Sequence, residues 1–194
     1  MSEFELYFVL GIEHILDFNA YDHIVFVIAL HAVYTFRELG KVLLLVTAFT
    51  IGHSLTLALS AFDMIPVNTQ LIEFLIPVTI FLTSIYNITD TAKKHNRKIR
   101  LNYALALVFG LIHGMGFSNY FKALMGSTDE IILPLFSFNL GVEVGQIAIV
   151  AIVLAALWIF VEKLKVPHRE WNLFISGAAA GVALILMKNT AYFL

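Results

Sequence analysis

The chain has 194 residues, 60% of them hydrophobic and only 13% charged, with a mean hydropathy of +0.87. A soluble domain is nearer half apolar and a quarter charged, so this composition points to an integral membrane protein and excludes an ordinary soluble one. The absence of cysteine rules out disulfides and thiolate metal sites, and a net charge of −2 without a basic face argues against nucleic-acid binding.

The start, Met1-Ser2-Glu3-Phe4-Glu5, is acidic and lacks the basic segment and small-residue cleavage site of a secretory signal, so a retained N-terminus is expected. A short helix is predicted over 4–18, followed by a break at Asn19-Ala20-Tyr21 where Asn19 or Asp22 can cap the next helix. Membrane spans, which need about 20 apolar residues, are predicted at 21–37, 41–62, 69–90, 99–118, 133–162 and 171–193. Pro66 and Pro167 punctuate loops and Pro134 opens a span, while Pro77 falls inside a span, where membranes tolerate a kink. No internal repeat is evident. The expectation is one domain, residues 1–194, an all-α integral membrane bundle of six long transmembrane helices plus a short N-terminal helix.

Charge suggests an orientation. Lys93, Lys94, Arg97, Lys98 and Arg100 share one linker, Arg37 and Lys41 another, and Lys163, Lys165 and Arg169 a third. The intervening loops hold Asp63, and Lys122 with Asp129 and Glu130. The positive-inside rule places the basic loops in the cytoplasm and the C-terminus outside.

Four histidines, His14, His23, His53 and His113, lie inside apolar stretches, with Asp22 next to His23 and Glu143 inside a further span. One ionisable side chain in hydrocarbon costs roughly 2.5–3.5 kcal/mol on insertion scales, so several together suggest a built polar site. At 1.5 Å per residue, His23 comes about 3 Å from the external end of its helix and His14 about 6 Å. His113 and Asn139 come at about 8–9 Å, and His53 and Glu143 at about 14–15 Å, all in the outer half. Asn139, Glu143 and Gln146 form one polar stripe on their helix. Gly141 and Gly145 have the small-xxx-small spacing that lets helices approach closely. The glycines flanking His113 can serve packing or an opened backbone, and Ser54 can bond back to its own helix or face the cavity. Imidazole and carboxylate suit nickel, cobalt, zinc, iron or manganese better than Cu(I).

Each of these residues also has a plainer reading. Asp22 can be a cap, His23 and His14 can sit at headgroup level, and His53, His113 and Glu143 can be hydrogen-bonded packing partners. Glu73 reads as peripheral, His31 as structural, and His95 and His168 as solvated linker residues.

Together the residues resemble the HupE/UreJ family of hydrogenase- and urease-associated membrane proteins. The matching segments are Gly11-Ile12-Glu13-His14-Ile15-Leu16 with Asp22-His23, Phe49-Thr50-Ile51-Gly52-His53-Ser54-Leu55-Thr56-Leu57, Phe109-Gly110-Leu111-Ile112-His113-Gly114-Met115-Gly116-Phe117, and Phe138-Asn139-Leu140-Gly141-Val142-Glu143-Val144-Gly145-Gln146. They run in order from about residue 10 to 155. The interval between His14 and Asp22 is longer than in the better-described nickel-permease branch, so the chain resembles the second branch. The resemblance implies a nickel or cobalt permease whose candidate ligands are His14, Asp22, His23, His53, His113 and Glu143.

Two mechanisms suit such a site. In a permease, imidazoles and carboxylates replace the hydration shell of a divalent ion, and neutral imidazoles discriminate against magnesium and calcium. In a zinc-dependent intramembrane hydrolase acting on a lipid or amide, His23, His53 and His113 would hold zinc. Asp22 or Glu143 would then act as base and Ser54 as oxyanion donor. The hydrolase rests on analogy with membrane hydrolases of the alkaline-ceramidase type, so transport by a metal-binding protein, embedded in the bilayer and open to homo-oligomerisation, is the leading expectation.

Overall fold

A computed structural model describes residues 2–90, 99–125 and 130–191. Seven α-helices follow one another, with no strand among the described residues: α1 (Glu3–Leu16), α2 (Asp22–His31), α3 (Leu39–Ala61), α4 (Thr69–Asp90), α5 (Ile99–Met125), α6 (Ile132–Leu157) and α7 (His168–Thr190). Five of them, α3 to α7, are long and apolar enough to cross a membrane. The predicted linker residues Lys93, Lys94, His95, Arg97 and Lys98, together with Asp129, lie outside the described residues, as do the side chains of Asp90 and Arg100.

The expected six long spans plus one short helix become five long helices and two short ones. The stretch 21–37 fails as a span because α2 stops at His31, after ten residues or about 15 Å. Beyond it the chain turns through Thr35 into a 3-10 turn at Phe36–Glu38 that leads directly into α3. Apolar content alone does not reveal this stop. Tyr34 is buried, its carbonyl accepts from His168 Nε2 at 3.2 Å, and its hydroxyl accepts from Asn102 Nδ2 at 2.9 Å. His168, read from sequence as a solvated linker residue, is therefore half-buried and fastens the end of the α2 segment. α4 continues through Pro77 without a break, and α6 ends in a π-helical turn at Trp158–Lys163.

α3 packs chiefly on α5, α1 on α6, and α4 on α7. Close backbone approach sets the first two pairs. A Cβ on Gly110 would overlap the Phe49 carbonyl, and one on Gly52 would overlap the Leu107 carbonyl, so α3 and α5 touch main chain to main chain. A Cβ on Gly11 or Gly141 would likewise overlap the Phe138 or Phe8 carbonyl, joining α1 to α6. The small-xxx-small spacing at Gly141 and Gly145 thus serves helix packing, as does Gly114, which lies against the His53 carbonyl.

The same contacts give direction. Gly11 faces Phe138 and Val142 while Gly145 faces Ile12 and Ile15, so α1 runs parallel to α6. Tyr7 meets Phe121 while His14 meets Phe117, so α1 runs opposite to α5. His23 meets His113 and Phe26 meets Phe109, so α2 also runs opposite to α5. Two successive helices therefore point the same way, and His14, in the last turn of α1, meets His23 in the first turn of α2. Neither is long enough alone, but their 14 and 10 residues add up to about 36 Å of rise. They form one element interrupted at residues 17–21. His14 consequently lies about 17 Å along α1 from Glu3, in the interior rather than near the outer surface as the sequence suggested.

One end of the bundle carries Arg37 and Glu38 beside Glu162 and His168 in a shared groove, with Lys163 over the Trp158 ring. It is called the basic end below. The far end carries the ion pair between Lys122 and Asp63 and the start of α4. Packing at Gly110 makes a direct prediction. Gly110→Ala should destabilise the detergent-solubilised protein by about 1–3 kcal/mol through overpacking. Gly177→Ala, with nothing within 4 Å of its Cβ, should be neutral or stabilising by up to about 1 kcal/mol. Thermal unfolding of the two variants side by side checks this, and equal losses would refute the α3–α5 contact.

Candidate metal site

The break between α1 and α2 brings histidines from four helices to one level. The ring centroids of His14 and His23 lie 4.5 Å apart, those of His14 and His53 5.9 Å, and those of His23 and His113 5.1 Å. One nitrogen from each of His14, His23 and His53 lies within 4.8 Å of the others. Nitrogens around a tetrahedral ion with bonds of about 2.1 Å stand about 3.4 Å apart, so at most about 1.4 Å of closure forms a shell. His113 lies outside this set of three and abuts His23.

Hydrogen bonding fixes how these rings present themselves. His23 Nδ1 lies 3.0 Å from Asp22 Oδ1, His113 Nδ1 lies 2.8 Å from the Phe109 carbonyl, and His53 Nδ1 lies 3.2 Å from Asn139 Oδ1. The Asn139 amide donates to the Leu135 carbonyl at 2.7 Å, which leaves its oxygen facing His53. All three partners are acceptors, so each neutral ring donates from Nδ1 and keeps its lone pair on Nε2. The Nε2 atoms of His14, His23, His53 and His113 are buried and have no hydrogen-bond partner. An unmet buried acceptor costs about 1–3 kcal/mol, and the nitrogens of His14, His23 and His53 stand close enough together to suit a cation. Metal-binding histidines are held in this way, with the second nitrogen bonded to a carboxylate or carbonyl.

The other predicted residues fall in distinct places. Asp22 bonds both the ring and the backbone N–H of His23, at 3.0 and 2.9 Å, so it satisfies the first turn of α2 and orients the ring. Glu143 accepts from Thr47 Oγ1 at 2.7 Å through Oε1, while its Oε2 is buried without a partner. It stands one turn along α6 from Asn139, on the polar stripe whose third member, Gln146, accepts from Thr50 at 2.8 Å. Ser54, the oxyanion donor of the hydrolytic reading, donates to the Thr50 carbonyl at 2.7 Å and so lends that reading no support. His31 shares the arrangement of His113, with Nδ1 on the Val27 carbonyl and Nε2 buried and unpartnered. It is eight residues further along α2, about 12 Å towards the basic end.

Sequence reading did not find Thr47, which no motif marks, or the helix-directed role of the Phe109 carbonyl. Nor did it find the aromatic walls. Phe117 lies 3.9 Å from the His14 ring and Phe138 5.6 Å, while Phe26 and Phe49 lie 5.3 and 5.2 Å from His113. Phe26, Phe49, Phe109 and Phe117 stand three or four residues from His23, His53 or His113, which was the available signal, whereas no such spacing marks Phe138.

Residues 1–194, the whole chain, match the family described as HupE / UreJ protein. The chain belongs to the HupE/UreJ family. This makes it an integral membrane protein of a family tied to nickel and cobalt transport. The match extends beyond the segment from residue 10 to 155 that carries the motifs. Neither the curated proteins nor the solved structures offer a match.

If these rings hold a divalent ion, removing Asp22 should matter through His23. Asp22→Ala should weaken cobalt or nickel binding about 10- to 100-fold, read by calorimetric titration of the purified protein. Binding should also weaken as pH falls, because protons compete for the same Nε2 lone pairs. Affinity that is indifferent both to pH and to Asp22 would place the ion elsewhere.

Proposed function

We propose that this HupE/UreJ protein is a permease that carries nickel or cobalt inward across the bacterial inner membrane. The observation that supports it is the cluster of histidines at the α1–α2 break, whose Nε2 atoms are buried and without partners. His14, His23 and His53 take the ion first. His113, which also carries an unmet buried atom, completes the shell as it contracts, and the Glu143 carboxylate stands one turn along α6 from Asn139, towards the basic end. The two carboxylates, Asp22 and Glu143, balance the two charges of the ion, which removes much of the cost of placing it in hydrocarbon.

The interrupted element suits a cation. The C-terminal end of α1, where the unsatisfied carbonyls carry partial negative charge, lies beside His14 and His23. The opposite partial charge at the start of α2 is met by Asp22, the residue type favoured there. Broken helices whose ends face a substrate near mid-membrane are the recurring device of secondary transporters. In this reading α1 and α2 together make one crossing. With the basic end in the cytoplasm by the positive-inside rule, both termini are outside.

An entry route is supported by a far-end cavity of about 210 Å³ lined by Asn19, Tyr21, Asp22, Glu73 and Pro77. Its carboxylates, one of them the exposed Glu73, attract cations to the mouth of the site. The expected result in proteoliposomes with an entrapped metal-sensing dye is nickel uptake by the parent and none by His23→Ala or His53→Ala. Undiminished uptake in both variants would end the transport reading. Glu73→Gln should slow uptake at low ionic strength, and the difference should vanish in high salt, where exposed charges are screened.

A further inference from the structure

Beneath the histidine cluster, on its basic-end side, three aromatic rings form a layer. On α2, Phe26 follows His23 by three residues; on α3 and α5, which run the other way, Phe49 and Phe109 precede His53 and His113 by four. In every case the phenyl lies about one helical turn nearer the basic end than its histidine. The rings touch: Phe26 lies 5.1 Å from Phe49 and 5.6 Å from Phe109 between centroids. Phe26 and Phe49 are completely buried. An ion held by the histidines therefore meets a dry aromatic floor, and hydrophobic constrictions of this kind block ions by excluding water.

Phe109 differs from the other two rings. It lines a cavity of about 300 Å³ that lies further towards the basic end, between α2, α4 and α5, with Leu30, Tyr34, Thr83, Asn87 and Leu105 in its wall. A cavity of about 150 Å³ is enough to take up benzene, so this one has room for a phenyl ring. Its predominantly apolar wall suits a ring better than it suits an ion. Phe109 is also tied to the site, because its carbonyl accepts from His113 Nδ1 at 2.8 Å. The alternative way inward, the seam between α3 and α6, is closed by the hydrogen-bonded pairs Thr47–Glu143 and Thr50–Gln146.

We propose that Phe109 is the moving leaf of an inner gate, swinging from the layer it forms with Phe26 and Phe49 into the adjoining cavity to let the metal leave the histidine site. The proposal rests on the transport reading above. It assigns the cavity a role as the receptacle of the ring and His113 a role as the group whose metal occupancy is felt by the Phe109 turn.

The test separates binding from passage. Leu105→Trp and Thr83→Phe fill the receptacle at two independent positions, while Phe109→Ala and Phe109→Leu shrink the leaf. Cobalt binding to each purified protein, by titration, reports an intact histidine site and hence a folded protein. Cobalt flux into proteoliposomes reports the gate. The filled variants should bind cobalt like the parent while flux falls several-fold, and the shrunken variants should bind like the parent while flux rises. Parental flux in a filled variant that binds normally, or flux lowered in both shrunken variants that bind normally, overturns the gate and leaves the transport reading standing. A parent protein that neither binds nor passes cobalt or nickel overturns both.

Discussion

An imidazole nitrogen buried without a hydrogen-bond partner is a standing cost, and the gathering of His14, His23 and His53, with His113 against His23, governs this structure. Three of these rings are held through the other nitrogen: His23 by Asp22, His113 by the Phe109 carbonyl, and His53 by Asn139. The rest of the bundle serves to bring these rings to one level. Glycines on α3, α5, α1 and α6 strip away the side chains that would keep the helices apart, so His53 on one helix pair meets His14 on the other. A looser contact at either pair would separate the rings and leave their nitrogens to water.

The interruption between α1 and α2 is the second half of this arrangement. A continuous helix would put His14 and His23 nine residues apart, about 13 Å along its axis, and on no shared face. Breaking it at residues 17–21 folds the two rings against each other, 4.5 Å apart, and exposes two helix ends beside them. The acceptor end of α1 and the Asp22 carboxylate at the start of α2 both favour a positive guest. Both features favour the cation proposed above, and the HupE/UreJ family is one tied to nickel and cobalt transport.

Aromatic rings enclose the site on both sides. Phe117 and Phe138 stack at 5.0 Å beside His14 and His53, towards the far end, and Phe26, Phe49 and Phe109 close it towards the basic end. Excluding water has two effects. It strengthens the interaction between an ion and its ligands, because little competes with them, and it prevents an unguarded aqueous path through the membrane. His53 and His113 are accordingly almost wholly buried, with His23 close behind.

Sequence alone determined the membrane class, the helical architecture, five of the six long spans it predicted, the family, and the residue types of a candidate site. These are properties of composition and of local spacing: hydrocarbon demands long apolar helices, and ionisable side chains within them stand out. It misjudged residues 21–37 as a full span, because hydropathy counts apolar residues without seeing that Tyr34 is fastened to Asn102 and His168. It also placed His14 near the surface, because helix direction cannot be read from a 14-residue apolar segment. Only the tertiary structure decided that α1 and α2 run the same way. Only there do three histidines converge, with Asp22 acting through His23 and Glu143 resting on Thr47, and only there does Phe109 border a cavity. These depend on which helices touch and in which direction, and that is settled by packing between residues distant in the chain.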